Sequence, residues 1–91
     1  MSLTDNRTAS RYELPSENGL GFIDYRLDEA AGRIVLIHAE VPAAAKGRGL
    51  GRALVAAVLD DVRARGLKVV PRCGFVAAVM NREPGWRDLL A

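Results

Sequence analysis

The stretch "RIVLIHAEVPAAAKGRGLGRALVAAVLDDVRARGLKVVP", Arg33 to Pro71, decides the fold. It opens on "RIVLIHAEV", rich in β-branched residues and apolar on both phases, which predicts a strand whose middle is covered on both faces of its sheet. From Leu50 the apolar residues Leu50, Ala53, Leu54, Ala57, Val58 and Val62 recur at steps of three and four, the stripe of a helix packed on a sheet. Gly66 ends that helix, and Arg63 and Arg65 in its last turn suit its dipole. "LKVVP" reads as the next strand, closed by Pro71. Strand, helix and strand in this order predict a right-handed parallel crossover between residues 33 and 71.

Working outward, "RYEL" reads as a short strand, and "PSENGLG" carries turn signals. Ile23, Tyr25 and Leu27 then alternate with Asp24 and Arg26, the period of a half-buried strand, and "DEAAG" makes a hairpin turn into Arg33. Beyond Pro71, "GFVAAVMNRE" predicts a second helix, and "WRDLL" a final turn that returns Trp86 and Leu89 to the core; Phe75 is read as core closure as well. Residues 1–10 are polar and unpatterned, so they are expected to be a flexible lead-in to one domain over 11–91. The predicted class is α/β, an α+β mixed sheet: antiparallel strands, then a strand-loop-helix-strand crossover and a C-terminal helix.

Composition narrows the function classes. At 91 residues, 49% hydrophobic and 26% charged, the chain is expected to be one ordinary globular domain with an aliphatic core. The net charge of +2 is too small, and aromatic residues too few, for a base-stacking surface, so nucleic acid is not the expected partner. No apolar run approaches the roughly 20 residues that span a bilayer, and no export signal opens the chain, so no membrane partner and a cytoplasmic location are expected. Cys73 is the only cysteine, which rules out an internal disulfide and any CxxC metal pattern; no metal is expected.

The loop between strand and helix, "KGRGLGR", places Gly47, Gly49 and Gly51 at a helix start beside Lys46, Arg48 and Arg52. A helix N-terminus offers unpaired amides and partial positive charge, and glycines let an anion approach them. The spacing lacks both the span and the Lys-Ser/Thr ending of a P-loop. It also fails the dinucleotide pattern GxGxxG, because Arg52 stands where the third glycine would be.

"HAEVPAAAKGRGLGRALV" resembles the acyl-CoA pyrophosphate loop of the GNAT acetyltransferase superfamily, in which Arg or Gln, two residues, Gly, one residue and Gly or Ala follow in order. With "VVPRCGFV" downstream, the chain from Tyr12 to Leu90 is similar to a minimal GNAT-like subfamily, single domains of about this length with one active-site-type cysteine. The resemblance implies acetyl-CoA or coenzyme A as cosubstrate. The Val41 amide would run beside the pantetheine arm, and the amides of Gly47, Arg48, Gly49, Leu50, Gly51 and Arg52 would wrap the pyrophosphate, with Asn81 as a polar CoA contact or plain helix surface. Lys46 departs from the pattern, keeping charge but not the planar guanidinium fork. Members this short lack the extra helices and C-terminal hairpin that shape the acceptor pocket, so the acceptor side is expected to be open.

Transfer from a thioester to an amine requires a base and an oxyanion contact. Glu40 and His38, two residues apart on one strand face, are the candidate bases; the alternatives are a solvated strand end for Glu40 and a packed residue for His38. Cys73, between a strand end and a helix start beside Arg72, is either an acyl-accepting nucleophile or a small buried hydrophobe. The leading expectation is an N-acetyltransferase acting on a small-molecule amine or a protein lysine. A CoA-binding or sensing module without catalysis, and a small basic interaction module for protein or nucleic acid, are the rivals.

Overall fold

Tight turns build the N-terminal half as an antiparallel meander. Gly19, at φ +116°, lets β2 (Arg11–Ser16) reverse into β3 (Gly19–Asp28), and the Ser16 hydroxyl braces the turn by donating to the Gly19 carbonyl at 2.8 Å. A second turn, closed by the Gly32 amide on the Glu29 carbonyl, leads into β4 (Arg33–Glu40). The computed structural model describes residues 2–91. Its sheet has five strands in chain order, β1 (Thr4–Asn6) to β5 (Lys68–Pro71), all antiparallel except the β4–β5 pair.

The crossover between β4 and β5 is made by α1 (Leu50–Ala64). Its buried residues are Leu50, Leu54, Val55, Val58, Leu59 and Val62, so the expected stripe holds but turns toward Val55 and Leu59 and leaves Ala53 exposed. From Leu54 onward they pack with Tyr12, Ile23, Tyr25, Ile34, Leu36 and Val69 of the sheet and with Val76, Val79 and Met80 of α2 (Gly74–Arg82) in one cluster. Each aliphatic side chain removed from water there contributes roughly 1.5–3 kcal/mol. Among the described residues, no helix is long and apolar enough to cross a membrane.

Both helices lie on the same face of the sheet, which corrects the expectation that β4 is covered on both. Ile34 and Leu36 are fully buried, whereas Ile37 is 44% exposed on the opposite, open face. The β4 register also slips: Tyr25 faces Leu36 but Asp24 faces His38, so Ile37 is an extra residue, a β-bulge. The bulge inverts the side-chain phase. Ala39 packs on the core, and His38 and Glu40 turn to the open face beside Phe22.

The N-terminal segment is a second correction. Thr4–Asn6 forms β1 on the sheet edge, held by the Tyr25 hydroxyl and Arg65, both donating to the Asp5 carboxylate at 2.6 and 3.4 Å, and by the Asn6 amide on Glu13. Three residues are too few to show a period, and the bonds that fix them come from far along the chain. At the other end a 3-10 turn, Pro84–Leu89, buries Leu89 and partly buries Trp86, as the sequence implies. The Ala91 amide then reaches the Val69 carbonyl at 2.9 Å, covering the outer edge of β5.

Candidate functional site

Unequal strand lengths open the site. β5 pairs with β4 only as far as Leu36 and Pro71, after which the Arg72 and Cys73 amides both donate to the Leu36 carbonyl, each at 3.0 Å, and the chain turns into α2. From Ile37 to Glu40, β4 has no strand partner on that side among the described residues. A cleft of about 470 Å³ lies beside this free edge, walled by Ala39 and Val41, by the glycine loop and by Phe75.

The loop reaches that wall through a 3-10 turn at Ala43–Ala45, whose Ala45 side chain is buried. Gly47 and Gly49 then adopt φ +76° and +82°, with nothing within 4 Å of where a Cβ would stand. Their role is conformational, since the left-handed region costs other residues roughly 1–2 kcal/mol. Gly51 has the opposite reason: a Cβ there would meet the Phe75 ring at 2.8 Å. Among the described residues, the amides of Gly47, Gly49, Leu50, Gly51 and Arg52 donate to no backbone carbonyl, and the first such bond of α1 is Ala53 to Gly49 at 3.0 Å. Five open donors at a helix start, with Lys46 exposed on the same wall, form a cradle for an anion of phosphate size. The residues therefore fit the pyrophosphate of an acyl-CoA.

Not every residue singled out in the sequence joins the cleft. Val41, Lys46, Gly47, Gly49, Leu50, Gly51 and Arg52 line it. Arg48 does not, its Nε donating back to the Ala44 carbonyl at 3.2 Å, nor does Asn81, which is exposed on α2 with its carbonyl held by Arg87. The Arg52 guanidinium is tied to the Glu83 carboxylate at the end of α2. That hydrogen bond raises the Arg52 pKa and holds the Glu83 carboxyl below its usual range.

Cys73, His38 and Glu40 also lie outside the cleft lining. Cys73 is the N-cap of α2, half-buried against the core, and flanks the point where β4 and β5 part. His38 Nε2 sits 3.3 Å from Glu40 Oε2 on the open face, both more than half exposed. The bulge thus sets the two candidate bases on one side of β4 and the cleft-lining Ala39 and Val41 on the other. Phe75 is the cleft residue that sequence reading misassigns: it is 46% exposed rather than core closure. The signal lay in the α2 spacing, for Val76, Val79 and Met80 make the buried stripe and Phe75 falls outside it.

A parallel strand pair that splits beside a helix start capped by Gly49 marks this as an α/β domain with an open strand edge next to unpaired helix amides. The chain belongs to the GCN5-related N-acetyltransferase family: the family model described as GCN5-related N-acetyl-transferase matches residues 11–89. Members of this family in general use acetyl-CoA as cosubstrate and an amine as acceptor. The fold is similar to that of a GCN5-like protein from Staphylococcus aureus solved in solution by NMR, with a TM-score of 0.74 and 24% identity over 99% of this chain and 87% of that one.

Proposed function

We propose that the protein transfers an acetyl group from acetyl-CoA to a primary amine, with the loop from Lys46 to Arg52 binding the pyrophosphate. The observation that carries the reading is the set of open amides at the start of α1, next to a strand edge that is free from Ile37 onward. An extended pantetheine arm matches such an edge because its amides can pair with unpaired backbone groups, the Val41 amide among them. In the transfer the amine nitrogen bonds to the thioester carbon, the carbon–sulfur bond breaks, CoA leaves as the thiol, and the ammonium proton passes to a base. His38 and Glu40 serve as that base for an amine arriving over the open face. Cys73, at the split, offers a two-step route in which its sulfur first takes the acetyl group and then yields it to the amine.

A second reading, a CoA-binding module without transferase activity, is favoured by the fact that none of Cys73, His38 and Glu40 lines the cleft. Calorimetric titration with acetyl-CoA and CoA tests the binding both readings share; no heat at millimolar ligand would sink both. Release of free thiol with an amine panel separates them. Intact-mass measurement after incubation with acetyl-CoA decides the route: a hydroxylamine-labile acetyl adduct absent in Cys73→Ala establishes the covalent one.

A further inference from the structure

Two guanidinium groups on the open face of the sheet, outside every ion pair among the described residues, border one hollow. Arg26 on β3 and Arg72 just after β5 are exposed, and among the described residues neither makes an ion pair, as is also true of Arg33, Arg48, Arg82 and Arg87; what sets Arg26 and Arg72 apart is that they line one hollow together. They share a hollow of about 220 Å³ with Val35 and Ile37, the latter the bulged residue. Val35 lies directly across the ladder from Arg26, so its side chain forms an apolar floor beside that charge.

Further along the same strand the charge reverses. His38 and Glu40 form their pair on this face, one and three residues beyond Ile37. At roughly 3.3 Å per residue, Glu40 lies about 10 Å from the hollow. A surface that is cationic at one end, apolar in between and anionic at the other is complementary to a small zwitterion. The guanidinium fork matches a carboxylate in particular, and two like charges around one hollow favour an anion between them.

We infer that this face is the acceptor subsite and takes a small primary amine that also carries a carboxylate, an inference that rests on the transferase reading above. Arg26 and Arg72 hold the carboxylate, Val35 and Ile37 carry the apolar part of the molecule, and its ammonium faces Glu40 and His38. The ammonium first gives one proton to that pair; the freed lone pair bonds to the acetyl carbon, the carbon–sulfur bond breaks, and the second amine proton passes to the leaving sulfur, so that CoA leaves as the thiol. The position suits the chemistry, because Arg72 immediately precedes Cys73 where the pairing of β4 and β5 ends.

The test uses the full chain, acetyl-CoA and amines in matched pairs, each ω-amino carboxylate against its uncharged amide, with thiol release as readout. The carboxylate of each pair is expected to show kcat/KM at least about tenfold above the amide. Arg26→Gln and Arg72→Gln are expected to erase that preference through KM, with kcat and the calorimetric Kd for CoA unchanged. Equal turnover of both members by the wild type, or a preference that survives both substitutions, would overturn the inference. If no amine is turned over, backbone amide shifts decide: an ω-amino carboxylate added to the CoA-saturated protein must move the resonances of Arg26, Val35, Ile37 and Arg72, and unmoved resonances refute the subsite. Failure of CoA to move Gly47 to Arg52 refutes the transferase reading separately.

Discussion

Alanine placed at Gly49 and at Gly51 separates the two reasons a glycine stands in the loop. At Gly49 the backbone holds φ +82° and ψ 4°, and a Cβ would touch nothing within 4 Å. The cost is therefore backbone strain alone, roughly 1–2 kcal/mol, reduced by the ~0.4–1 kcal/mol that alanine gains by restricting the unfolded chain. A net loss near 1 kcal/mol lowers Tm by about 4–8 °C in a domain of this size. Gly51 is the second residue of α1, where alanine gains up to ~1 kcal/mol in helix propensity. Its Cβ meets Phe75 at 2.8 Å, but that ring is 46% exposed and free to swing into the cleft. Gly51→Ala is thus expected to match or exceed the wild type in Tm while binding CoA about tenfold more weakly, a loss of ~1.4 kcal/mol. Thermal melts and calorimetric titration of both variants check this. If Gly51→Ala loses as much stability as Gly49→Ala, the ring is fixed; if its CoA affinity is unchanged, Phe75 does not wall the occupied cleft. Either result refutes the reasoning.

Leu54, fully buried and in near contact with Gly21, is expected to cost ~2–5 kcal/mol on truncation to alanine, read by chemical denaturation. Burial, and then the bond to Asp5, raises the Tyr25 pKa to about 12, while burial and the bond to Asp61 raise that of Tyr12 beyond it. Both phenols stay protonated in the fold after the unfolded chain, at 10.0, begins to ionise, so their stabilisation is complete below pH 10 and falls as pH rises from there toward 12. Denaturation curves at pH 9, 10 and 11 should show that fall, and Tyr25→Phe should flatten it; a pH-independent midpoint contradicts the assignment. Glu83→Gln frees the Arg52 guanidinium beside the loop and is expected to tighten CoA binding with little change in unfolding midpoint, since the pair is exposed. Unchanged affinity would show that Arg52 does not reach the bound anion.

The crossover and the loop were legible because each rests on a local pattern: the Leu50, Leu54, Val58, Val62 stripe and the glycine spacing appear in consecutive residues. What was illegible depended on counting residues between strands. Alternation alone puts His38 on the phase of Ile34 and Leu36, and only the insertion at Ile37, visible once Asp24 and Tyr25 are paired across, turns it outward. β1 was hidden because its register is set by Tyr25 and Arg65 rather than by its own composition. The open face could have been read, since Phe22, Asp24 and Arg26 alternate with the core residues Ile23 and Tyr25.

The cleft and the open face are two results of one mismatch in strand length. Pro71 has no amide to continue the ladder, so β5 stops after four residues, and the next two amides converge on the Leu36 carbonyl and lift the chain off the sheet. β4 runs on to Glu40, and the bulge at Ile37 lets it bend away from its lost neighbour. With the bulge, alternate residues of the free segment serve different sides: Ala39, with Val41 beyond it, toward the glycine loop, and His38 and Glu40 toward the face of Arg26 and Arg72. Among the described residues no helix covers that face, and Ile37 stays 44% exposed on it. On the proposed reading the acceptor is selected by side chains of the sheet itself, Arg26 on β3 and Val35 and Ile37 on β4.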